Sequence, residues 1–176
     1  PDAIGGPGRH AIYQQAVKPS PDGAYVALAF AEAGGDAKTI ALVETASGRV
    51  VDGHPPKTIL PTIAWAPDGS GFYYNRNQGP FVDAPDRMTC AEGVYFHRVG
   101  TTFDDDHLIA AKGWDEAHVS LPAVSGDGRF LFVGDLSVSL RQTALRLFAL
   151  GADGHTQGDG RTLSSPGEGA ILYLGD

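Results

Sequence analysis

Ala64-Trp65-Ala66-Pro67-Asp68-Gly69-Ser70-Gly71-Phe72-Tyr73-Tyr74 decides how this chain folds. Its middle, Ala66-Pro67-Asp68-Gly69, is a turn. Proline presets φ for the first bend, aspartate bonds its own backbone, and glycine accepts a positive φ. Small and apolar residues precede the turn and an aromatic run follows it. A strand, such a turn and a second strand make a β-hairpin. Two further copies stand at Ser20-Pro21-Asp22-Gly23 and Ser125-Gly126-Asp127-Gly128. The first is followed by Tyr25-Val26-Ala27-Leu28, the second by Phe130-Leu131-Phe132-Val133. One Asp-Gly turn is common, but three between matching runs are a repeat.

Working outward from each turn gives four strands per unit. The first unit reads as Gln14–Lys18, Ala24–Phe30, Thr39–Glu44 and Arg49–Val51. The second reads as Thr62–Trp65, Phe72–Asn75, Val94–Arg98 and His107–Ala111. The third reads as Leu121–Val124, Arg129–Gly134, Thr143–Leu150 and Arg161–Leu163, with Gly151-Ala152-Asp153-Gly154 as the turn after its third strand. Phe130–Val133 is apolar on both faces, as a strand between neighbouring sheets would be. Ala170–Leu174 reads as the start of something new. A four-stranded meander of roughly forty residues is the size of one propeller blade.

The expected fold is therefore all-β: a partial β-propeller of about three four-stranded antiparallel blades plus the start of a fourth. The whole chain, 1–176, is one such piece, with units at about 12–53, 58–112 and 117–165 and a further blade opening at 166–176. No apolar period of 3.6 residues persists for three turns, so almost no helix is expected. Closed propellers usually need four to eight blades. Three and a fragment imply a piece of a larger ring, or a partial ring that closes by self-association.

Spacing exposes an insertion. From the turn aspartate to the third strand is 18 residues for Asp22 to Ile40, 19 for Asp127 to Arg146 and 27 for Asp68 to Tyr95. The extra length lies in Gln78–Glu92, which carries Asp83, Asp86 and two prolines. Long loops inside a tight repeat are where function tends to sit, although a tolerated surface insertion has the same signature.

Composition narrows the function. The 176 residues carry 21 acids against 13 bases, a net charge of −8, with no Lys/Arg cluster. Nucleic-acid binding needs a basic stripe, so no nucleic-acid partner is expected, and anionic membranes are disfavoured on the same ground. No stretch approaches the length of a transmembrane helix. Pro1 is followed by no basic n-region and apolar h-region, and this end does not separate a cytoplasmic from a periplasmic soluble protein. Cys90 is alone, so no internal disulfide and no multi-cysteine metal site is expected.

Catalytic and metal motifs are also sought. No G-x-S-x-G elbow surrounds Ser47, Ser70 or Ser125, and no strand–helix alternation builds a hydrolase sheet. No two of the six histidines fall at i, i+4. Asp104-Asp105-Asp106-His107 and Asp115-Glu116-x-His118 read as solvated charge runs rather than as converging ligands. No glycine-rich phosphate loop opens onto a helix. No catalytic residue, metal site or cofactor is therefore expected in this chain. His97 reads as a hydrogen-bonded structural histidine, and Trp65 and Phe72 as core.

Taken together, the motifs resemble one family. The stretch 64–74 resembles the blade motif of the prolyl oligopeptidase family of serine peptidases. Gly93-Val94-Tyr95-Phe96-His97-Arg98-Val99-Gly100-Thr101, followed by Asp105-Asp106-His107-Leu108-Ile109, is similar to its Y-Y-H-x-x-G-T segment and the D-x-L beyond. The resemblance covers about residues 12–165. It implies a seven-bladed propeller joined to an α/β-hydrolase domain that carries the Ser, Asp and His. The propeller covers the active site and excludes large folded substrates. This chain would be about three of those blades, with the peptidase domain as its partner and peptide as the substrate. The position three before the blade tryptophan lies near the substrate cavity in the family, which points to Thr62. The chain departs from the family in having no peptidase domain within it. It also departs where the family's Gly-Ser-Asp-Trp reads Gly34-Gly35-Asp36-Ala37. A non-catalytic propeller that binds a protein or ligand, and a self-associating partial propeller, stay open as alternatives.

Overall fold

The computed structural model describes residues 10–32, 37–53, 58–77, 92–111, 118–137 and 142–165. The expected start of a fourth blade, Cys90 and nearly all of the insertion after Asn77 lie outside the described residues. The first sheet is β1 (His10–Pro19), β2 (Tyr25–Glu32), β3 (Lys38–Glu44) and β4 (Val50–Gly53). The second is β5 (Ile63–Trp65), β6 (Gly71–Asn77), β7 (Glu92–Arg98) and β8 (His107–Ala111). The third is β9 (His118–Val124), β10 (Phe130–Ser137), β11 (Gln142–Leu150) and β12 (Thr156–Ser164). Each is a four-stranded antiparallel meander in sequence order. A single 3-10 turn, Phe103–Asp105, is the only helical element among the described residues. This is a partial β-propeller that does not close. The first strands neighbour one another, β1 against β5 and β5 against β9, and form its inner edge.

The turns hold the meanders in register. The N–H of Gly23, Gly69 and Gly128 donates to the carbonyl of Ser20, Ala66 and Ser125, at 2.9, 3.0 and 2.8 Å. Each glycine has φ of 71–72°. Each turn aspartate accepts the N–H two residues on: Asp22 from Ala24 at 3.0 Å, Asp68 from Ser70 at 3.0 Å and Asp127 from Arg129 at 3.1 Å. Asp153 repeats this with His155 at 3.1 Å, between β11 and β12.

Strand alternation then builds two cores between three sheets. Phe72 and Tyr74 of β6 point to the first sheet, where they meet Ala27, Ala29, Ile40 and Leu42. Tyr73, between them, points the other way and meets Leu131, Val133 and Phe148 of the third sheet. All three aromatic side chains are fully buried. A run of three aromatics is what a middle strand needs when both faces are covered. Trp65 is buried beside Phe72, edge-on at 5.2 Å, and its Nε1–H donates to Lys18 O at 2.9 Å across the seam. On β10 the faces differ: Leu131 and Val133 are buried against the second sheet, whereas Phe130 and Phe132 are half-buried.

Several strand limits differ from those expected. β1 and β12 are longer, and both carry register shifts, between Tyr13 and Val17 and around Leu147. β5 begins at Ile63, so Thr62 stands just before the strand rather than inside it.

Candidate functional site

Each Asp-Gly turn joins the end of a first strand to the start of a second. The starts of β5 and β9 and the ends of β6 and β10 therefore lie at the opposite end of the blades. Polar side chains collect there. Thr58, Asn75, Asn77, His118, Ser120, Asp135 and Ser137 are all buried. Thr62, the sequence-expected cavity residue, belongs to this end and is half-buried. Its N–H donates to Asn75 Oδ1 at 2.7 Å, and Asn75 Nδ2 donates to Leu60 O at 2.9 Å. The last register pair of β5 and β6 is Ile63↔Tyr74. Asn75 comes next on β6, and there a side-chain amide takes over from the backbone ladder.

In the third sheet, Ser137 pairs with His118 and Asp135 with Ser120. Between them these four hold the Ser, Asp and His of a serine hydrolase triad; sequence reading singled out only His118, as part of a solvated charge run, and it is buried instead. The signal was present: polar residues at i, i+2 continue the apolar faces of β9 and β10. Their geometry assigns another role. Asp135 accepts from Ser120 Oγ at 2.6 Å, and from Arg146 Nε at 2.9 Å and Nη2 at 3.0 Å. Arg146 Nη1 continues to Ala111 O of β8 at 3.3 Å. The carboxylate is committed to an arginine that ties the third sheet to the second. Both serines are fully buried.

His97 is buried, as expected of a structural histidine, and its Nδ1 lies 2.9 Å from Asp106 Oδ1. The other carboxylate oxygen of Asp106 accepts from Tyr74 Oη at 2.6 Å. Phe103 stacks on the imidazole at 3.9 Å. Nε2 faces Asp52 Oδ2 of β4 at 3.6 Å, so the ring spans the seam between the first two sheets. Its neighbour Arg98 points to the third sheet and meets His155 Nε2 at 3.0 Å. Burial, then the Asp106 carboxylate, pushes the Tyr74 phenol far above its ordinary range. Burial, then Asp153 and Asp68, does the same to Tyr73, whose hydroxyl donates to Gly154 O. Both phenols stay protonated donors that tie β6 to the turn after β11 and to the loop before β8.

At the turn end, a groove of about 450 Å³ opens between neighbouring hairpins, lined by Pro21, Trp65, Pro67, Val124 and Asp127 among others. Of the charge runs, Asp104 and Asp105 are exposed and Asp106 is held by His97 and Tyr74. Among the described residues no group of three or more His, Cys, Asp or Glu side chains stands together as a metal site.

Comparison with known proteins assigns this arrangement. The family model described as prolyl oligopeptidase, N-terminal β-propeller domain, matches residues 7–158. A dual function macrocyclase-peptidase of Galerina marginata is 27% identical over 150 residues, covering 79% of this chain and 20% of that protein. A prolyl oligopeptidase A of the same fungus is 29% identical over 169 residues, covering 85% of this chain and 22% of that protein. The chain thus spans about a fifth of the length of these relatives. Among solved structures, prolyl oligopeptidase B of Galerina marginata as apo protein has a TM-score of 0.75 at 25% identity, covering 94% of this chain and 24% of that one. The same enzyme bound to a 35mer hydrolysis and macrocyclization substrate has a TM-score of 0.76 at 24% identity, covering 94% and 24%. The meanders, their turns and the matched span lead to one assignment: this chain belongs to the prolyl oligopeptidase family, as part of its N-terminal β-propeller domain.

Proposed function

We propose that this chain is the substrate-gating propeller portion of a prolyl-oligopeptidase-like serine peptidase, and that it is non-catalytic by itself. Its partner is the α/β-hydrolase peptidase domain of the same protein, and the substrate is peptide. The observation that carries the reading is the family match over 7–158, on a chain whose blades form an unclosed run. The units at about 12–53, 58–112 and 117–165, with 166–176 opening a further blade, belong to the same proposal. So does Thr62 as a residue bordering the substrate passage. A polar end where the Asn75 side chain binds the backbone of Leu60 and Thr62 suits a passage for extended peptide, which presents unpaired N–H and C=O groups.

The test compares the complete protein with its peptidase region alone. Both receive a short peptide with a cleavable proline site, and the same sequence embedded in a folded protein. Gating predicts that the complete protein cleaves only the short peptide, and that the region without the propeller loses this discrimination. Equal cleavage of the folded protein by both forms would overturn the gating role.

A further inference from the structure

We propose that Asn75 is a positioning residue that sets the Leu60–Thr62 stretch along the substrate passage. This rests on the reading that Thr62 borders that passage. Asn75 is fully buried, in a strand whose three preceding residues are aromatic. An amide there is costly unless its donor and acceptor are both satisfied. Both go to one short segment. Oδ1 accepts the Thr62 N–H at 2.7 Å and Nδ2 donates to Leu60 O at 2.9 Å. Nδ2 also approaches Thr58 Oγ1, at 3.5 Å. An N–H and a C=O two residues apart on one side of a chain are what a neighbouring strand would bind. Asn75 copies that strand edge with a side chain.

The substitution has a geometric consequence. On β6 the backbone of Gly71 faces β5, accepting from the Ala66 N–H, and alternation turns the backbone of Asn75 the same way, so Thr62 would be its next ladder partner. Asn75 meets Thr62 with its side chain instead. Its side chain therefore holds the segment at arm's length, so Leu60–Thr62 departs from the ladder that resumes at Ile63↔Tyr74. Pro61 fixes φ within the segment, and as the residue before a proline Leu60 is kept extended. Amide and proline together pre-organise one conformation of a segment that carries an exposed leucine, at 42%, and a half-buried threonine.

The experiment uses the complete peptidase that carries this chain, with a long peptide and a short chromogenic peptide as substrates. Asn75→Ala is expected to raise KM for the long peptide about tenfold, with kcat changed less than about twofold, because binding geometry and not chemistry is disturbed. Asn75→Asp keeps the acceptor for Thr62 and loses the donor to Leu60. It is expected to fall between wild type and Asn75→Ala, and it serves alone if the alanine variant does not fold. Amide exchange at Thr62 is expected to speed up in Asn75→Ala while Ala64 stays protected. A lowered Tm with unchanged KM for both substrates would overturn the proposal. Thr62→Trp separates the two layers. If it leaves KM unchanged, the passage reading fails. If it raises KM while the Asn75 variants do not, only the positioning role fails.

Discussion

The ring of Pro67 fills the space that a side chain on Gly128 would need: a Cβ there would stand 2.7 Å from Pro67 Cγ and 2.9 Å from Pro67 Cβ. Gly69 stands in the same relation to Pro21, more loosely, at 3.8 Å. The proline of one turn thus packs on the glycine of the next unit's turn. The repeated motif closes its own hairpin and also spaces the blades.

Gly128→Ala therefore carries two costs. A left-handed alanine costs roughly 1–2 kcal/mol, and crowding a packed site adds about 1–3 kcal/mol. Gly23 has a φ of 72°, against 71° for Gly128, with open space around it, so Gly23→Ala carries the first cost alone. Urea unfolding of both variants checks this. Equal losses would show that Pro67 yields and that the turns do not space the blades.

Acid should weaken the turns at a defined point. The Ser125 hydroxyl, then the Arg129 guanidinium, holds the Asp127 carboxyl down at about 2, from an ordinary value of 3.8. The Ser20 hydroxyl, then the Ala24 N–H, lowers Asp22 likewise. A carboxyl depressed in the folded state contributes stability that is complete above its unfolded value of about 4 and is lost as pH falls towards the folded one. Denaturation midpoints of wild type and Asp127→Asn should differ by a constant amount near neutral pH and converge between about pH 4 and 2. A difference independent of pH would show that the charge adds nothing to the turn.

The seam between the first two sheets should show coupling through His97. Among the described residues, Asp52 Oδ2 and His97 Nε2 are buried with no hydrogen-bond partner, and they face each other at 3.6 Å. Such a pair has no better interaction than the one across the seam. A double-mutant cycle of Asp52→Asn and His97→Gln is expected to give a coupling of at least about 0.5 kcal/mol in unfolding free energy. Additive losses would mean that Asp52 and His97 do not interact across the seam.

What was legible in the sequence follows from what is local. The Asp-Gly turns carry their own chemistry, so the hairpins could be found from four residues each. The reading of a strand covered on both faces fell on Phe130–Val133, where Phe130 and Phe132 are half-buried, whereas Phe72-Tyr73-Tyr74 is the run that alternation buries on both sides. β12 was read too short because Thr156–Ser164 is an edge strand, mostly exposed and with bulged pairing, and so has little hydrophobic period to read. The links between Asp52 and His97, between Arg98 and His155, and between Asn75 and Leu60–Thr62 join residues distant in sequence. No spacing rule brings them together. Asp135 and Arg146 could be seen only as a polar interruption of apolar strands until the register set Arg146 opposite Val133, diagonally within reach of Asp135.

The central claim is that this chain gates a peptidase and supplies none of its catalytic groups. A fluorophosphonate probe for activated serines tests it most directly, on this chain and on the complete protein. Ser120 and Ser137 are the serines to watch, since they stand beside Asp135 and His118 in the third sheet. The account predicts no labelling anywhere in 1–176, and labelling of one serine outside that range in the complete protein. A labelled serine within the chain would contradict it.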